Sequence, residues 1–245
     1  MVKVAISGYY GFKNFGDEAI LSVLTSHLKS LPDVDVTVFS SDCEFTEKTY
    51  GVKAVKRFDL KSVVDTIKNC DVLISGGGSL LQDVTSLKSL IYYAFVIALG
   101  LLFNKKVIIF AQGIGPLNSN LAKNIVKNLL KYCSVVTVRD EKSLNLLNSL
   151  GVEAKLVCDP IYSLNIPSTE NEGVVGIQLR DFKTMNEELL QKLALLVVTK
   201  FENKKIEIFS LQKTQDFELS KRFEKVLKSF NPDMETEIVE DDIIN

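Results

Sequence analysis

The sequence predicts an α/β fold of two domains, each built on a parallel β-sheet, with the second domain incomplete. Short apolar runs typical of buried strands alternate with longer runs typical of helices, which favours parallel sheets covered on both faces. A polar stretch containing prolines, at residues 160–173, interrupts the alternation, which then restarts. We therefore expect one domain at residues 1–167 and the start of a second at residues 168–245.

The elements of the first domain follow in regular order along the chain. Strands are expected at residues 2–7, 34–40, 72–75, 106–110, 135–138 and 154–157. Helices are expected at residues 18–31, 60–69, 87–103, 121–132 and 141–150. Because each helix separates two strands, the connections are expected to be right-handed crossovers.

The second domain repeats the pattern over a shorter length. Strands are expected at residues 174–179, 206–210 and 236–239, and helices at residues 186–202 and 215–230. Residues 241–245 resemble the start of another helix. A parallel sheet that stopped there would have an open edge and half-covered faces, so we expect the chain to be a fragment, or a natural truncation, of a longer protein with two domains.

The composition is that of an ordinary soluble globular protein, with 46% hydrophobic residues and a net charge of -2. The lack of a basic excess argues against a nucleic-acid partner. No signal peptide is expected, and the four cysteines form no CxxC pair, so we expect reduced thiols and no zinc site. The longest apolar run, residues 91–103, is shorter than the roughly 20 residues that span a membrane. It predicts a buried helix or, alternatively, a docking surface for a membrane or a partner.

The most informative segment is GYYGFKNFGDE, which follows the first predicted strand. Such a loop lies at the carboxyl end of its strand, where ligands bind in open α/β sheets. Gly11 and Gly16 allow the backbone to approach a ligand, and Asn14 is a further candidate contact. The spacing matches neither a dinucleotide fingerprint nor a P-loop. Because Asp17 and Glu18 would repel a pyrophosphate, we interpret Asp17 as a general base or a partner for sugar hydroxyls.

A second glycine-rich loop, SGGGSLLQD, follows the third predicted strand. It places Gly76, Gly77, Gly78 and Ser79 at the same edge of the sheet as the first loop. Three consecutive glycines require unusual backbone angles or close contact with a ligand. If the loop leads into a helix, its amide groups could hold an anion or a carboxylate. The alternative is a tight turn that packs the strand against the helix.

The next strand ends in the loop AQGIGPL. Gln112 can donate and accept hydrogen bonds toward a sugar or a nucleobase, and Gly113 frees the backbone beside it. Pro116 is suited to begin the following helix. The alternative is that these residues serve only to form the turn.

Two charged residues complete the candidate site. Arg139 ends a strand in VTVRDEKS and can bind a carboxylate or a phosphate with two hydrogen bonds, while Asp140 is suited to cap the next helix. The alternative for Arg139 is a salt bridge to Asp140 or Glu141. Asp159, before Pro160, lies at the end of the last strand and is either a ligand contact or a turn initiator.

Taken in order, the motifs GYYGFKNFGDEAIL, SGGGSLLQD, AQGIGP, VTVRDEKS and CDP resemble the polysaccharide pyruvyl transferase family, close to its CsaB-type members. The resemblance extends from residue 2 to about residue 179 and continues weakly to the end. It implies a glycosyltransferase B-like fold of two Rossmann-like domains that face a cleft. It also implies transfer of pyruvate from phosphoenolpyruvate, as a substrate, to a sugar, with formation of a ketal and no cofactor.

The resemblance further implies an acceptor and the residues that act on it. The acceptor is N-acetylmannosamine in a lipid-linked precursor of a cell-wall polysaccharide, and the ketal helps to anchor surface-layer proteins. Asp17 matches the acidic residue of the family's first loop, and Arg139 matches the arginine of its V-R-D motif, which makes both candidate catalytic residues. The family's histidine, in an R-L-H motif, and a later lysine have no counterpart in this sequence. The expected location is the cytoplasm, with peripheral contact at the inner face of the membrane as an alternative.

Two other functions stay open from the sequence. A nucleotide-sugar-dependent glycosyltransferase of the same fold would release a nucleoside diphosphate instead of inorganic phosphate. A non-catalytic fragment that only binds its ligand would account for the missing histidine and lysine. The sequence leaves the oligomeric state open.

Overall fold

The computed structural model describes residues 1–84, 86–164, 173–182 and 184–240. These residues form two compact units, which we call the first unit (residues 1–164) and the second unit (residues 173–240). The predicted domain boundary between residues 167 and 168 and the helix predicted to begin at residues 241–245 lie outside the described residues.

Seven parallel strands form the sheet of the first unit. They are β1 (Val2–Tyr10), β2 (Val34–Ser40), β3 (Lys53–Lys56), β4 (Val72–Gly76), β5 (Lys106–Gln112), β6 (Val135–Val138) and β7 (Lys155–Leu156). Their order across the sheet is β3-β2-β1-β4-β5-β6-β7. All strands therefore end at one side of the sheet, which we call the carboxyl edge. The direction of strand succession reverses between β1 and β4, which is where ligands bind in open α/β sheets.

Helices connect the strands of the first unit. They are α1 (Phe15–Ser30), α2 (Cys43–Tyr50), α3 (Leu60–Asn69), α4 (Leu87–Leu102), α5 (Asn120–Leu130) and α6 (Glu141–Ser149), followed by a 3₁₀ helix at Pro160–Ser163. The side chains of Asp42, Asp59, Ser119 and Asp140 each accept a hydrogen bond from a backbone amide of the first helical turn. Such caps satisfy amides that have no partner within the helix, and the predicted cap at Asp140 is confirmed.

The sheet of the first unit has an apolar core on each face. In β1, Val4 and Ile6 pack with Leu21 and Leu24 of α1. Ala5, between them, belongs to the opposite core, which includes residues of α3, α4 and α5. This alternation follows from the two-residue period of a strand, and it explains why the strands are apolar at nearly every position.

The second unit is a smaller α/β structure with its own core. Its parallel strands are β8 (Val175–Gln178), β9 (Ile206–Phe209) and β10 (Thr236–Val239), in the order β10-β9-β8, and its helices are α7 (Glu187–Lys200) and α8 (Lys213–Phe230). Leu190, Ile208 and Phe223 are fully buried within it. The predicted α/β class with two parallel sheets is confirmed.

Several local features differ from the sequence predictions. β1 continues to Tyr10 rather than ending at residue 7. Residues 43–56 form α2 and β3, which were not predicted because this short segment mixes charged and apolar residues without a clear period. The glycine loop after β4 does not lead directly into a helix, since α4 begins only at Leu87. Pro116 does not begin α5, which starts at Asn120.

Helix α4 contains most of the apolar run that was predicted as a buried helix or a docking surface. Leu90, Tyr93 and Ile97 are buried against the sheet, whereas Ile91 and Phe95 are exposed. The helix is therefore buried on one side only. Within the described parts of the chain, no helix is long and apolar enough to cross a membrane.

Candidate active site at the carboxyl edge

The first turn of α1 carries Asp17 and Glu18, which the structure places in different surroundings. The Asn14 side chain caps α1 by accepting a hydrogen bond from the Asp17 backbone amide at 3.3 Å. Asp17 is partly exposed, whereas Glu18 is fully buried. Gly16 lies in the same turn, close to the Asn14 side-chain oxygen. Asn14 therefore positions the helix that carries Asp17, and the substrate contact predicted for Asn14 stays a prediction.

Glu18 holds the loop between β1 and α1 in place. One carboxylate oxygen accepts hydrogen bonds from the backbone amides of Gly11 (2.8 Å) and Lys13 (3.3 Å), and the other accepts from the Tyr50 hydroxyl (2.8 Å). Burial raises the pKa of the Glu18 carboxyl, while these hydrogen bonds oppose the rise. Gly11 has a φ of +76°, and a Cβ there would lie 2.2 Å from the Ser40 hydroxyl. Only glycine fits this position, which shapes the loop.

Replacing Glu18 with alanine is expected to lower the free energy of unfolding by about 3 kcal/mol, because three hydrogen-bond donors lose a buried acceptor. Urea denaturation followed by circular dichroism measures this loss. The matched control is Glu44→Ala, since Glu44 is an exposed glutamate in the first turn of α2. The control is expected to change the free energy of unfolding by less than about 0.5 kcal/mol. Equal losses in the two variants would contradict the role assigned to Glu18.

The glycines after β4 bring that loop close to α1. Gly77 and Gly78 have φ angles of +60° and +65°, which glycine adopts without strain. A Cβ on Gly77 would lie 2.4 Å from Ile20, and one on Gly78 would lie 2.5 Å from a carboxylate oxygen of Asp17. The Gly78 carbonyl accepts a hydrogen bond from the Gly113 amide at 3.0 Å. The backbone of Gly78 thus lies directly beside the Asp17 carboxylate.

Two other predicted contacts lie below the surface. The Gly76 carbonyl accepts a hydrogen bond from the buried Tyr10 hydroxyl at 2.9 Å. Burial raises the pKa of Tyr10, and the negative charges in the first turn of α1 raise it further. The fully buried Gln112 amide donates hydrogen bonds to the Ser75 carbonyl at 2.9 Å and hydroxyl at 2.8 Å. Gly76 and Gln112 therefore support the end of β4 from within. The Gln112 side-chain oxygen has no hydrogen-bond partner among the described residues, and the substrate contacts predicted for Gly76 and Gln112 stay predictions.

Arg139 pairs with Asp159, another predicted site residue. One guanidinium nitrogen lies 2.7 Å from the Asp159 carboxylate, and the other donates to the Ser79 hydroxyl at 3.5 Å. Both members of the ion pair are partly exposed. Asp140, an alternative partner of Arg139 from the sequence, instead accepts hydrogen bonds from the amide and hydroxyl of Ser143. The ion pair fixes the guanidinium beside Ser79.

Gly113 brings the loop after β5 against Ser79 and Arg139. A Cβ on Gly113 would lie 2.7 Å from the Ser79 hydroxyl and 3.6 Å from Arg139 Nε. Six predicted residues are thus neighbours at the carboxyl edge. We call them the loop cluster: Asp17, Gly78, Ser79, Gly113, Arg139 and Asp159. A carboxylate and a guanidinium beside glycine backbone suit a substrate that has a hydroxyl group and an anionic group. Among the described residues, no three His, Cys, Asp or Glu side chains are grouped to bind a metal ion.

Replacing Gly78 with alanine is expected to lower, about tenfold, the rate of a reaction in which Asp17 acts as the base, because the new methyl group would displace the Asp17 carboxylate. The matched control is Gly151→Ala. Gly151 has a similar φ of +71°, but a Cβ there meets nothing within 4 Å. The two variants therefore share the cost of backbone strain, and only Gly78→Ala disturbs the loop cluster. Equal activities after correction for folded protein would show that Gly78 does not position Asp17.

Arg57 was not identified from the sequence, because β3, which precedes it, was not predicted. The buried guanidinium donates to the Gly8 carbonyl and to the Tyr93 hydroxyl, each at 3.1 Å. It also lies 4.5 Å from the centre of the Tyr92 ring, a favourable cation–π distance. Burial raises the pKa of Tyr93 to about 12, although the charge of Arg57 opposes the rise. Arg57 holds β1 and α4 together at the carboxyl edge.

The second unit has a polar cluster of its own that sequence analysis missed. Arg180, after β8, donates to the Gln212 side chain at 2.8 Å and lies 3.7 Å from the Asp216 carboxylate. The fully buried Asp216 carboxylate accepts a hydrogen bond from the backbone amide of Gln212 at 3.0 Å. An arginine just beyond a strand was the signal that identified Arg139, and the same signal was present at Arg180.

Comparison with protein families and solved structures agrees with this architecture. The family model for polysaccharide pyruvyl transferase matches residues 14–242. Among solved structures, UDP-GlcNAc 2-epimerase from Neisseria meningitidis bound to UDP-GlcNAc is 13% identical, with a TM-score of 0.55, 98% of this chain covered and 72% of that chain covered. A glycosyltransferase from Rickettsia africae is also 13% identical, with a TM-score of 0.57 and coverage of 99% and 69%. These likenesses show a glycosyltransferase B-like fold. No curated protein sequence matches the chain significantly.

Proposed function

Because the chain belongs to the polysaccharide pyruvyl transferase family, we propose that it transfers the pyruvyl group of phosphoenolpyruvate to two hydroxyls of a sugar, forming a ketal. The observation that carries this proposal is the loop cluster, in which Asp17 and Arg139 adjoin the same glycine-rich loop. The two residues lie far apart in the sequence, and the order of the strands brings them to one edge.

The proposed reaction sets the chemical requirements of the site. Two sugar oxygens form bonds to C2 of phosphoenolpyruvate, and the bond between C2 and the phosphate oxygen breaks. The methylene carbon gains a proton and becomes a methyl group. Of the two protons lost by the hydroxyls, one balances the new methyl proton and the other leaves with phosphate. The site therefore needs a base near the sugar and a cation near the donor.

Asp17 is the proposed base for a sugar hydroxyl. It lies at the start of α1, is partly exposed, and faces the backbone of Gly78. Glu18, its neighbour, is buried and already accepts hydrogen bonds from the loop, so it is occupied in holding the structure. Asp17 is therefore the carboxylate of this turn that a substrate can reach.

Arg139 is the proposed cation for the carboxylate or the departing phosphate of phosphoenolpyruvate. Its pairing with Asp159 fixes the guanidinium in place before substrate arrives. Such preorganisation stabilises charge that develops in the transition state, because little reorganisation is then required. The Ser79 hydroxyl, next to Arg139, is a further donor for the same anion.

The proposed acceptor is N-acetylmannosamine in a lipid-linked precursor of a cell-wall polysaccharide, and the ketal would help to anchor surface-layer proteins. This part of the proposal is supported by the resemblance of the five loop motifs to CsaB-type members of the family.

The test is to incubate the purified protein with phosphoenolpyruvate and an acceptor glycan that contains N-acetylmannosamine. We expect release of inorganic phosphate and, by mass spectrometry, a product that carries one ketal-linked pyruvyl group. A parallel reaction with UDP-sugars in place of phosphoenolpyruvate is expected to release no UDP. Release of UDP with transfer of a sugar, or the absence of any pyruvylated product, would overturn the proposal.

A further inference from the structure

The outward side of α4 carries a row of exposed apolar side chains from Leu87 to Leu102. Leu87, Ile91, Phe95 and Leu102 lie along this side, and Ile91 and Phe95 keep 47% and 40% of their surface exposed. Their spacing places them on one side of a helix. After Lys88, α4 has no charged residue. Single exposed apolar residues are ordinary in soluble proteins, but a continuous row marks an interaction surface.

Helix α5 extends this surface. α4 and α5 lie side by side, and the shallow groove between them is lined by Ala94, Ala98, Ile125 and Leu129, among others. Leu121, in the first turn of α5, and Tyr132, two residues beyond its end, are also exposed. We call these exposed residues the α4–α5 apolar face: Leu87, Ile91, Phe95, Leu102, Leu121 and Tyr132.

The segment that forms this face is basic, although the whole chain has a net charge of -2. Residues 60–132, from the start of α3 to just beyond α5, contain eight lysines and three acidic residues. Lys88 lies in the first turn of α4. At the other end of α4, the Lys68 ammonium lies 5.4 Å from the centre of the Phe103 ring, and Lys105 donates a hydrogen bond to the Lys68 carbonyl. Lysines therefore flank the apolar row at both ends.

We propose that the α4–α5 apolar face docks onto an anionic phospholipid surface. Apolar side chains that enter the headgroup region, flanked by lysines that meet anionic lipids, are the combination that holds a protein at a membrane interface. A protein partner with an apolar groove would not by itself require the excess of lysines. The proposal rests on the exposure and charge of this face and is independent of the transfer reaction.

The first test uses the absence of tryptophan from the chain. Phe95→Trp introduces a single tryptophan, which can be excited selectively, on the α4–α5 apolar face. Phe230→Trp is the matched control, since Phe230 is 44% exposed at the end of α8 in the second unit. With phosphatidylglycerol vesicles, we expect the emission of Phe95→Trp to shift to shorter wavelength and that of Phe230→Trp to stay constant. With phosphatidylcholine vesicles, or at high salt, the shift should shrink, because screening weakens the attraction of the lysines.

The second test measures binding by vesicle sedimentation. Ile91→Asp is expected to reduce binding to phosphatidylglycerol vesicles by about tenfold or more, because it removes an apolar contact and adds a negative charge. Leu195→Asp is the control, since Leu195 is 51% exposed on α7. Thermal melts establish that both variants are folded.

Three results would overturn the proposal. One is the failure of the wild-type chain to bind anionic vesicles. Another is equal loss of binding in Ile91→Asp and Leu195→Asp, together with equal emission shifts in the two tryptophan variants. The third is a wild-type dimer that Ile91→Asp converts to a monomer without any vesicle binding, which would assign the face to a second copy of the chain. Phosphate release with a soluble acceptor tests the transfer reaction separately.

Discussion

Replacing Asp17 with asparagine is expected to lower the turnover of the protein by about 100-fold or more while leaving the fold intact, as for loss of a general base. Asparagine keeps the size and the hydrogen-bonding capacity of the side chain but cannot accept the proton of a sugar hydroxyl at neutral pH. Asp17 lies in the first turn of α1, where loss of its charge costs about 0.3–1 kcal/mol of stability. The effect on activity should therefore greatly exceed the effect on folding.

Steady-state measurement of phosphate release from phosphoenolpyruvate in the presence of acceptor, together with a thermal melt, checks this prediction. Asp65→Asn is the matched control, because Asp65 is an exposed aspartate on α3 and is expected to have nearly wild-type turnover. Near-normal turnover of Asp17→Asn would show that Asp17 serves only to begin the helix.

Replacing Arg139 with lysine is expected to lower kcat/KM for phosphoenolpyruvate by about 100-fold, the effect typical of removing one preorganised donor from a charged transition state. The Arg139 guanidinium contacts Asp159 with one nitrogen and reaches Ser79 with another. A lysine keeps the charge, but its single ammonium lacks the planar fork that allows both contacts. It is expected to pair with Asp159 and to leave the substrate anion without its donor.

Two comparisons separate binding of the substrate from structural pairing with Asp159. Arg222→Lys is a control on α8, where Arg222 forms an exposed ion pair with Glu187, and it should leave kcat/KM unchanged. Asp159→Asn removes the partner but keeps the guanidinium, so it should lower kcat/KM less than Arg139→Lys does. An equal decrease of kcat/KM in Arg139→Lys and Asp159→Asn, with no further decrease in the double variant, would show that Arg139 acts only through Asp159. Equal kcat/KM values for the wild type and Arg139→Lys would show that Arg139 does not bind the substrate anion.

The fold could be predicted where the chain is strongly periodic. β2, β6 and β10 were predicted at their observed bounds, because each is a short run rich in β-branched residues between polar turns. α2 and β3 were not, because in the segment 43–56 neither a strand nor a helix period is dominant. Their formation depends on burial of Thr46 and Tyr50 against the rest of the first unit, which is a tertiary contact.

The candidate site could be predicted as a set of loops but not as a set of contacts. Asp17 and Glu18 are adjacent carboxylates in the sequence, and a local pattern does not distinguish their roles. In the structure, Asp17 is partly exposed and faces Gly78, whereas Glu18 is buried and accepts hydrogen bonds from Gly11 and Tyr50. Gln112 has the chemistry of a ligand contact, and only the structure shows that its amide nitrogen donates to Ser75 while its amide oxygen has no hydrogen-bond partner among the described residues.

The sequence by itself determined that parallel strands end in glycine-rich and charged loops, because strand period and glycine loops are local properties of the chain. Only the tertiary structure decided which loops meet. Arg139 pairs with Asp159 rather than with its neighbour Asp140, and Gly78 lies against Asp17, because the strand order places β4 beside β1 and β7 beside β6. Contacts between residues distant in sequence depend on that order and on burial, neither of which a local pattern contains.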